Sequence, residues 1–150
     1  MNKKIIINTG IFIGELILIL VFGYTGSYKI YHFQDWIDKV KLLDFVANNH
    51  LIWTAYILPF FELFVALLLC ISKTKWVASF LSSGLMAFFT GYIFYKIYIA
   101  EDSLCPCGGI FSNLTLDKHL WVNIILLIIS ISLTIIYYIT YKRNNNEKSC

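Results

Sequence analysis

Residues 120–141 read LWVNIILLIISISLTIIYYITY, a run that contains no Asp, Glu, Lys or Arg. An α-helix needs about 20 mostly apolar residues to cross the hydrocarbon core of a bilayer, and this run is long enough. Of the 150 residues in the chain, 59% are hydrophobic and only 14% are charged. A soluble domain of this size could not bury so much apolar surface, so the composition indicates a protein embedded in a lipid bilayer.

Three further apolar runs of similar length precede this one, and no long linker rich in Pro, Gly or Ser separates them. The pattern predicts one all-α domain, a four-helix transmembrane bundle. The first run is too long for a signal-peptide core and lacks a small-x-small cleavage site, so we expect an uncleaved signal anchor. The predicted helices are residues 5–31, 51–72, 76–100 and 120–141, followed by a tail over 142–150.

The connection between the first and second helices, residues 32–49, mixes polar and apolar side chains. Its apolar residues recur at helical spacing, while Asp35, Asp38 and Lys39 fall elsewhere around the turn. This pattern predicts a short amphipathic helix lying in the membrane interface, although an ordinary loop is the alternative. The predicted apolar face consists of Phe33, Trp36, Ile37, Val40, Leu43 and Ala47.

Basic residues in short flanking segments predict the orientation, because such residues stay on the cytoplasmic side. They collect at both termini and between the second and third helices, so we expect both termini in the cytoplasm of a bacterial inner membrane. The net charge of +3 is dispersed, without a basic run and interleaved aromatics, which argues against nucleic acid as a partner. The basic residues on the predicted cytoplasmic side are Lys3, Lys4, Lys73, Lys75, Lys142, Arg143 and Lys148. Lys39, Lys41 and Lys118 fall on the predicted outer side, which also carries more acidic residues.

Two of the four cysteines lie one residue apart in Cys105-Pro106-Cys107-Gly108-Gly109, between the third and fourth helices. The predicted orientation places this segment on the periplasmic side, where thiols are oxidised. A disulfide across one residue closes a tight ring, and departure from preferred geometry makes such a bond easier to reduce. The two glycines allow a sharp turn and the approach of another protein. Thiol–disulfide exchange with a partner is therefore one interpretation of this segment.

Two other interpretations of the same segment stay open. The disulfide could be a structural staple that only fixes the loop. A zinc site would need four ligands, which Cys105 and Cys107 could provide together with His119 and either His32 or His50. Because these residues lack the paired spacing of zinc knuckles, we predict no metal here.

Glu15 and Glu62 both fall near the middle of predicted membrane helices. An ionised carboxylate at that depth costs at least a few kcal/mol, so each must be neutral, paired or in a polar cavity. A protonated Glu bonded to a neighbouring helix is the purely structural alternative. Pro59, three residues before Glu62, is expected to free a backbone carbonyl for a polar partner.

Three more polar residues lie near the predicted outer ends of the helices. Lys29 could be an interfacial anchor that extends its ammonium into water, or a cation that stabilises a thiolate or another anion. His119 and Asn123 are spaced i, i+4 and share one helix face. His119 could accept a proton from a cysteine thiol, or it could belong to the interfacial belt.

The chain resembles the MauE branch of the DoxX-like membrane proteins over roughly residues 15–129. The specific part runs from the Cys-x-Cys-Gly-Gly motif to His119-Leu120 and Asn123, and departs from the usual family pattern at Leu104 and Leu116. The matching residues before this part are Tyr24, Thr25, Ser27, Lys29, Pro59, Glu62, Phe89, Thr90 and Tyr92. Those within it are Cys105, Cys107, Gly108, Gly109, Ile110, Leu114, Thr115, His119, Leu120 and Asn123.

MauE-like proteins are linked with methylamine utilisation, where they are thought to help form disulfides alongside a thioredoxin-like protein. The resemblance therefore implies a membrane thiol–disulfide redox protein whose partner is a periplasmic thioredoxin-like protein or thiol client, with a quinone as candidate cofactor. The alternative is a non-catalytic assembly factor or complex subunit whose loop disulfide shapes a docking surface. The implied catalytic residues are Cys105, Cys107 and His119, and the implied cofactor-binding residues are Lys29, Glu62 and Asn123.

Overall fold

A computed structural model describes residues 3–41, 51–98 and 116–148, and these residues are almost entirely α-helical. Four helices are long and apolar enough to cross a membrane, over Asn8–Tyr31, Ile52–Cys70, Lys75–Tyr95 and Lys118–Arg143. The predicted four-helix transmembrane fold is confirmed. In chain order the helices are α1 (Lys3–Tyr31), α2 (Phe33–Lys41), α3 (Leu51–Cys70), α4 (Lys75–Tyr98) and α5 (Leu116–Lys148).

The observed bounds of α1, α3 and α4 agree with the predicted ones to within one or two residues. The fourth long helix differs, because α5 runs from Leu116 to Lys148 whereas the prediction was 120–141. Hydropathy identifies only the part of a helix inside the membrane. No Gly or Pro occurs between residues 116 and 148 to end the helix, so it continues into the segment predicted as a tail.

The amphipathic segment predicted after the first long helix forms α2. Its Trp36 and Val40 are buried and pack on Ala55 of α3, which confirms the predicted apolar face where the structure describes it. Leu43 and Ala47, predicted on the same face, lie outside the described residues. Packing of this face fixes α2 across the ends of α1 and α3 instead of leaving it as a loop.

The long helices pack most closely as α1 with α3 and α4 with α5. Trp76 in the first turn of α4 stacks on Tyr141 near the end of α5, with ring centroids 5.3 Å apart, so these helices are antiparallel. We call this the Lys75 end of the bundle, and the opposite one, where α4 finishes and α5 begins, the Tyr98 end. Buried residues at the centre of the core are Leu18, Phe22, Val65, Ala66, Leu69, Ala78, Leu85, Met86, Leu126 and Leu133.

Gly26 allows α1 to lie close against α3. A Cβ at this position would stand 2.9 Å from Cγ of Leu63 and 3.1 Å from the carbonyl oxygen of Pro59, so a larger residue does not fit. Gly23, one turn earlier on α1, faces open space, since nothing lies within 4 Å of the point that a Cβ would occupy there. The close approach at Gly26 brings Lys29, almost one turn later, to α3.

Candidate functional site

Lys29 of α1 and Glu62 of α3 form an ion pair inside the bundle. The Lys29 ammonium donates a hydrogen bond to Oε1 of Glu62, and the two side chains are only 6% and 1% exposed. Pairing offsets part of the large desolvation cost that either charge would bear alone at this depth. The interpretation of Lys29 as an interfacial anchor reaching into water is wrong, because its side chain turns into the bundle and meets a carboxylate.

Two aromatic rings cover the ammonium of this pair. Lys29 Nζ lies 4.8 Å from the ring centroid of Trp36 on α2 and 5.1 Å from that of Phe89 on α4. Ring faces attract a cation, and they also exclude water from it. Four helices thus surround Lys29 and Glu62, which we call the sealed pair.

Pro59 accounts for the position of Trp36. Proline has no backbone N–H, so the carbonyl oxygen of Ala55, four residues earlier, lacks its helical donor. The indole Nε1–H of Trp36 donates to that oxygen at 2.9 Å. The prediction that Pro59 frees a carbonyl for a polar partner is confirmed, and the partner comes from α2. This bond holds the Trp36 ring in place over Lys29.

The second buried acid, Glu15 of α1, has two partners from other helices. Lys75 Nζ of α4 lies 2.8 Å from Oε2 of Glu15, and the hydroxyl of Tyr137 on α5 donates to Oε1. Glu15 is buried, whereas the side chain of Lys75 is 26% exposed. We call Glu15, Lys75 and Tyr137 the open triad.

Sequence reasoning did not bring the open triad together. Lys75 served only to predict the orientation of the chain, and no partner was predicted for Tyr137. The available signal was Glu15 itself, because a buried carboxylate requires a donor or cation from a neighbouring helix.

A group of hydroxyls joins α4 to α5 in the core, and the sequence analysis did not predict it either. Ser130 Oγ lies 2.6 Å from Ser82 Oγ and 3.0 Å from Ser83 Oγ. Ser83 Oγ also lies 2.9 Å from Oγ1 of Thr134. We call these four residues the hydroxyl cluster. Its signal was the recurrence of small hydroxyl residues on one face of each helix, a pattern typical of interhelical contacts in membranes.

His119 and Asn123 lie in the first turns of α5, at the Tyr98 end, and both are buried, with 5% and 7% of their surface exposed. Their i, i+4 spacing thus turns both side chains toward the bundle. The structure joins Lys29 to Glu62 directly, while it places His119 and Asn123 on a different helix, α5.

Cys105 and Cys107 lie outside the described residues. Their segment connects Tyr98 to Leu116, so it is attached to the bundle at the Tyr98 end. Within residues 3–41, 51–98 and 116–148, no three His, Cys, Asp or Glu side chains are grouped so that they could hold a metal ion. The metal alternative involved the two cysteines themselves and stays a matter for experiment.

Four apolar spanning helices around a core that contains two Lys–Glu pairs define a multi-pass membrane protein with a polar interior. The family model described as Methylamine utilisation protein MauE matches residues 7–137. The chain belongs to this family, and the resemblance noted from its residues is confirmed. Neither the curated proteins nor the solved structures gave a significant match.

Proposed function

We propose that the protein is a membrane thiol–disulfide redox protein in which Cys105 and Cys107 exchange electrons with a thioredoxin-like partner or thiol client. The proposal rests on where the cysteine segment is attached relative to the buried polar residues. The Cys-x-Cys segment is attached at the end of the bundle where His119 and Asn123 are buried and where the helix bearing Lys29 finishes. Buried polar groups inside a membrane are costly, and they are typical of functional sites.

Exchange proceeds by attack of a partner thiolate on one sulfur of the Cys105–Cys107 disulfide, which gives a mixed disulfide. The second partner thiolate then attacks the mixed disulfide. The partner is left oxidised, and the two cysteines are left reduced after gaining two electrons and two protons. The same steps run in reverse when the partner has the higher reduction potential.

The ion pair between Lys29 and Glu62 argues against Lys29 as the residue that assists the cysteine thiols. The charge of Lys29 is already balanced by Glu62 at hydrogen-bonding distance, so Lys29 is a poor stabiliser for a thiolate. We therefore assign proton transfer with the cysteines to His119, since one imidazole nitrogen can accept a proton while the other donates one.

The donor set at this end suits a quinone, whose two carbonyl oxygens accept hydrogen bonds. Such a group supplies a two-electron, two-proton acceptor when bound. Lys29, His119 and Asn123 carry the N–H donors that would hold it, and Glu62 would position the Lys29 ammonium.

The proposed orientation follows from the basic residues at the Lys75 end, which would lie in the cytoplasm. The Tyr98 end and the two cysteines would then face the periplasm across a bacterial inner membrane. The family description mentions methylamine utilisation, and a disulfide-containing client in methylamine metabolism is one partner that the proposal admits.

Capture of a mixed disulfide tests the exchange step. Cys107→Ser and Cys105→Ser are expressed separately in native membranes, in a chain that also carries Cys70→Ser and Cys150→Ser. We expect one single variant to retain a protein partner covalently, in an adduct that a reductant releases. The matched control is Cys105→Ser combined with Cys107→Ser, which should capture nothing.

If neither single variant captures a partner and the native pair never changes its redox state, thiol exchange is excluded. A second result would favour the non-catalytic alternative. In that case the double cysteine variant would retain full activity in cells while still inserting and assembling normally.

A further inference from the structure

The open triad and the hydroxyl cluster both include residues of α4, Lys75 in the triad and Ser82 and Ser83 in the cluster. Lys75 and Tyr137 bond to Glu15 in the triad. In the cluster the hydroxyls lie within hydrogen-bonding distance of one another, and those of Ser82 and Ser83 also donate to the backbone carbonyl oxygen of Ser79.

Ser79 lies between these two groups on α4. It follows Lys75 by four residues and precedes Ser83 by four, so all three share one helix face. Ser79 is 0% exposed, and its hydroxyl has no hydrogen-bond partner among the described residues. Buried hydroxyls are nearly always bonded, and a buried water is the usual partner where protein atoms are not. A water bound to the Ser79 hydroxyl would join the polar groups on either side of it along α4.

One end of this line reaches the surface, because the Lys75 side chain is 26% exposed at the first residue of α4. The other end lies at Ser82 and Ser130, which are both 0% exposed. Seven residues of α4 separate Lys75 from Ser82, which is about 10 Å along the helix axis.

We propose that the open triad is a proton-uptake site and that Ser79, with a bound water, and the hydroxyl cluster carry the proton to the middle of the bundle. A carboxylic acid, a hydroxyl and a water molecule can each accept one hydrogen bond while donating another, as chains of proton transfer in membrane proteins require. Lys75 and Tyr137 hold the Glu15 carboxyl group at the end of this route that is nearer to the surface.

The use of this route in the redox reaction rests on the proposed function. Oxidation of Cys105 and Cys107 to the disulfide releases two electrons and two protons at the Tyr98 end. Reduction of a quinone to a quinol consumes two electrons and two protons. If those protons arrive through the open triad, turnover removes protons at the Lys75 end and releases protons at the Tyr98 end.

Hydrogen exchange at a single thiol tests the route without any redox turnover. Ser130→Cys places an S–H group at the inner end of the line, and its infrared S–H band is followed after transfer of the reconstituted protein into D2O. The control is Leu133→Cys, which is also buried but lies one turn nearer to the Lys75 end. Depth alone predicts faster exchange for the control.

We expect the opposite order, with exchange at Ser130→Cys about tenfold faster than at Leu133→Cys. Adding Ser79→Ala to Ser130→Cys should remove most of that difference, with an unchanged unfolding transition showing that the bundle is intact. Equal exchange rates at the two thiols would overturn the proposal. An exchange rate at Ser130→Cys that Ser79→Ala leaves unchanged would overturn it as well.

A second measurement separates this inference from the proposed function. The protein with its native Ser79 and its Ser79→Ala variant are compared in vesicles whose lumen contains a pH dye and faces the Lys75 end, while a dithiol reduces an added quinone. Proton loss from the lumen only with Ser79 present supports the inference. If the redox reaction runs without proton loss from the lumen, the inference fails and thiol exchange stands.

Discussion

The sealed pair and the open triad each join a lysine to a glutamate from another helix, but their surroundings differ. Lys29 and Glu62 are 6% and 1% exposed and lie beneath two aromatic rings. Lys75 is 26% exposed, and Glu15 has Tyr137 as a second donor. Lys29 thus pairs with a glutamate in a closed site, whereas Lys75 pairs with a glutamate in a site near the end of the bundle.

The difference teaches that burial decides what a Lys–Glu pair can do in a membrane. A pair without access to water keeps its charges fixed, since separating them would leave an ion in a medium of low polarity. A pair with access to water can exchange a proton at modest cost. Along α1, Glu15 and Lys29 are separated by about 21 Å, so one helix carries both kinds of site.

Removing the cation from each pair should produce the largest contrast. Lys29→Met leaves Glu62 buried without its counterion and should lower the free energy of unfolding by about 3–5 kcal/mol. Lys75→Met leaves Glu15 bonded to Tyr137 near the surface and should lower it by about 1–2 kcal/mol. Unfolding in mixed detergent micelles, followed by circular dichroism, measures both values.

Adding Glu62→Gln to Lys29→Met should recover much of the lost stability, because no uncompensated charge then remains. Equal losses for Lys29→Met and Lys75→Met would show that the two sites do not differ as described.

Glycine substitutions probe how tightly the helices approach beside each site. Gly26→Ala should cost about 1–3 kcal/mol, because the new Cβ would meet the Pro59 backbone as well as Leu63. Gly14→Ala, beside Glu15, should cost less, since its nearest neighbour is a methyl group of Ile129 at 3.3 Å that can rotate. The same unfolding assay compares them.

The control is Gly23→Ala, which has nothing within 4 Å and should be neutral or stabilising by up to about 1 kcal/mol. A Gly26→Ala protein as stable as the Gly23→Ala protein would contradict the close approach of α1 and α3.

The smallest predicted effect concerns the ring above the sealed pair. Trp36→Phe keeps an aromatic ring but removes the donor to Ala55, and should cost about 1 kcal/mol. Pro59→Ala restores a backbone N–H at position 59 that can bond to the same carbonyl. Pro59→Ala should therefore change the free energy of unfolding more favourably in the Trp36→Phe protein than in the native protein.

A double-mutant cycle on unfolding free energies measures this coupling, and Trp53→Phe, on an exposed tryptophan of α3, is the control. Additive effects would mean that Trp36 does not replace the donor lost at Pro59.

Much of the fold could be predicted from the sequence, because each feature has a local cause. Apolar length determines the four spans, and the spacing of Trp36 and Val40 identifies the buried face of α2. Proline chemistry predicted the free carbonyl near Glu62. The cost of a buried charge predicted that Glu15 and Glu62 need compensation.

The choice of partners could not be predicted, because it depends on how the helices pack. The local sequence around Lys29 is compatible with a side chain that extends into water and with one that pairs with Glu62. The close approach of α1 to α3 at Gly26 favours the pairing. Lys75 likewise predicted only the topology, and nothing in the local sequence of Tyr137 indicated a buried carboxylate as its partner. Lys75 and Tyr137 reach Glu15 only because α1, α4 and α5 pack together in the folded protein.

The indole of Trp36 gives the molecule an optical reporter. Of the four tryptophans, Trp53 and Trp121 are 67% exposed on the outside of the bundle, whereas Trp36 is 5% exposed and lies against the Lys29 ammonium. The emission wavelength of an indole responds to charges near its ring. In a chain that retains Trp36 as its sole tryptophan, fluorescence would therefore register any change in the charge of Lys29 or Glu62, in intact membranes and without an added label.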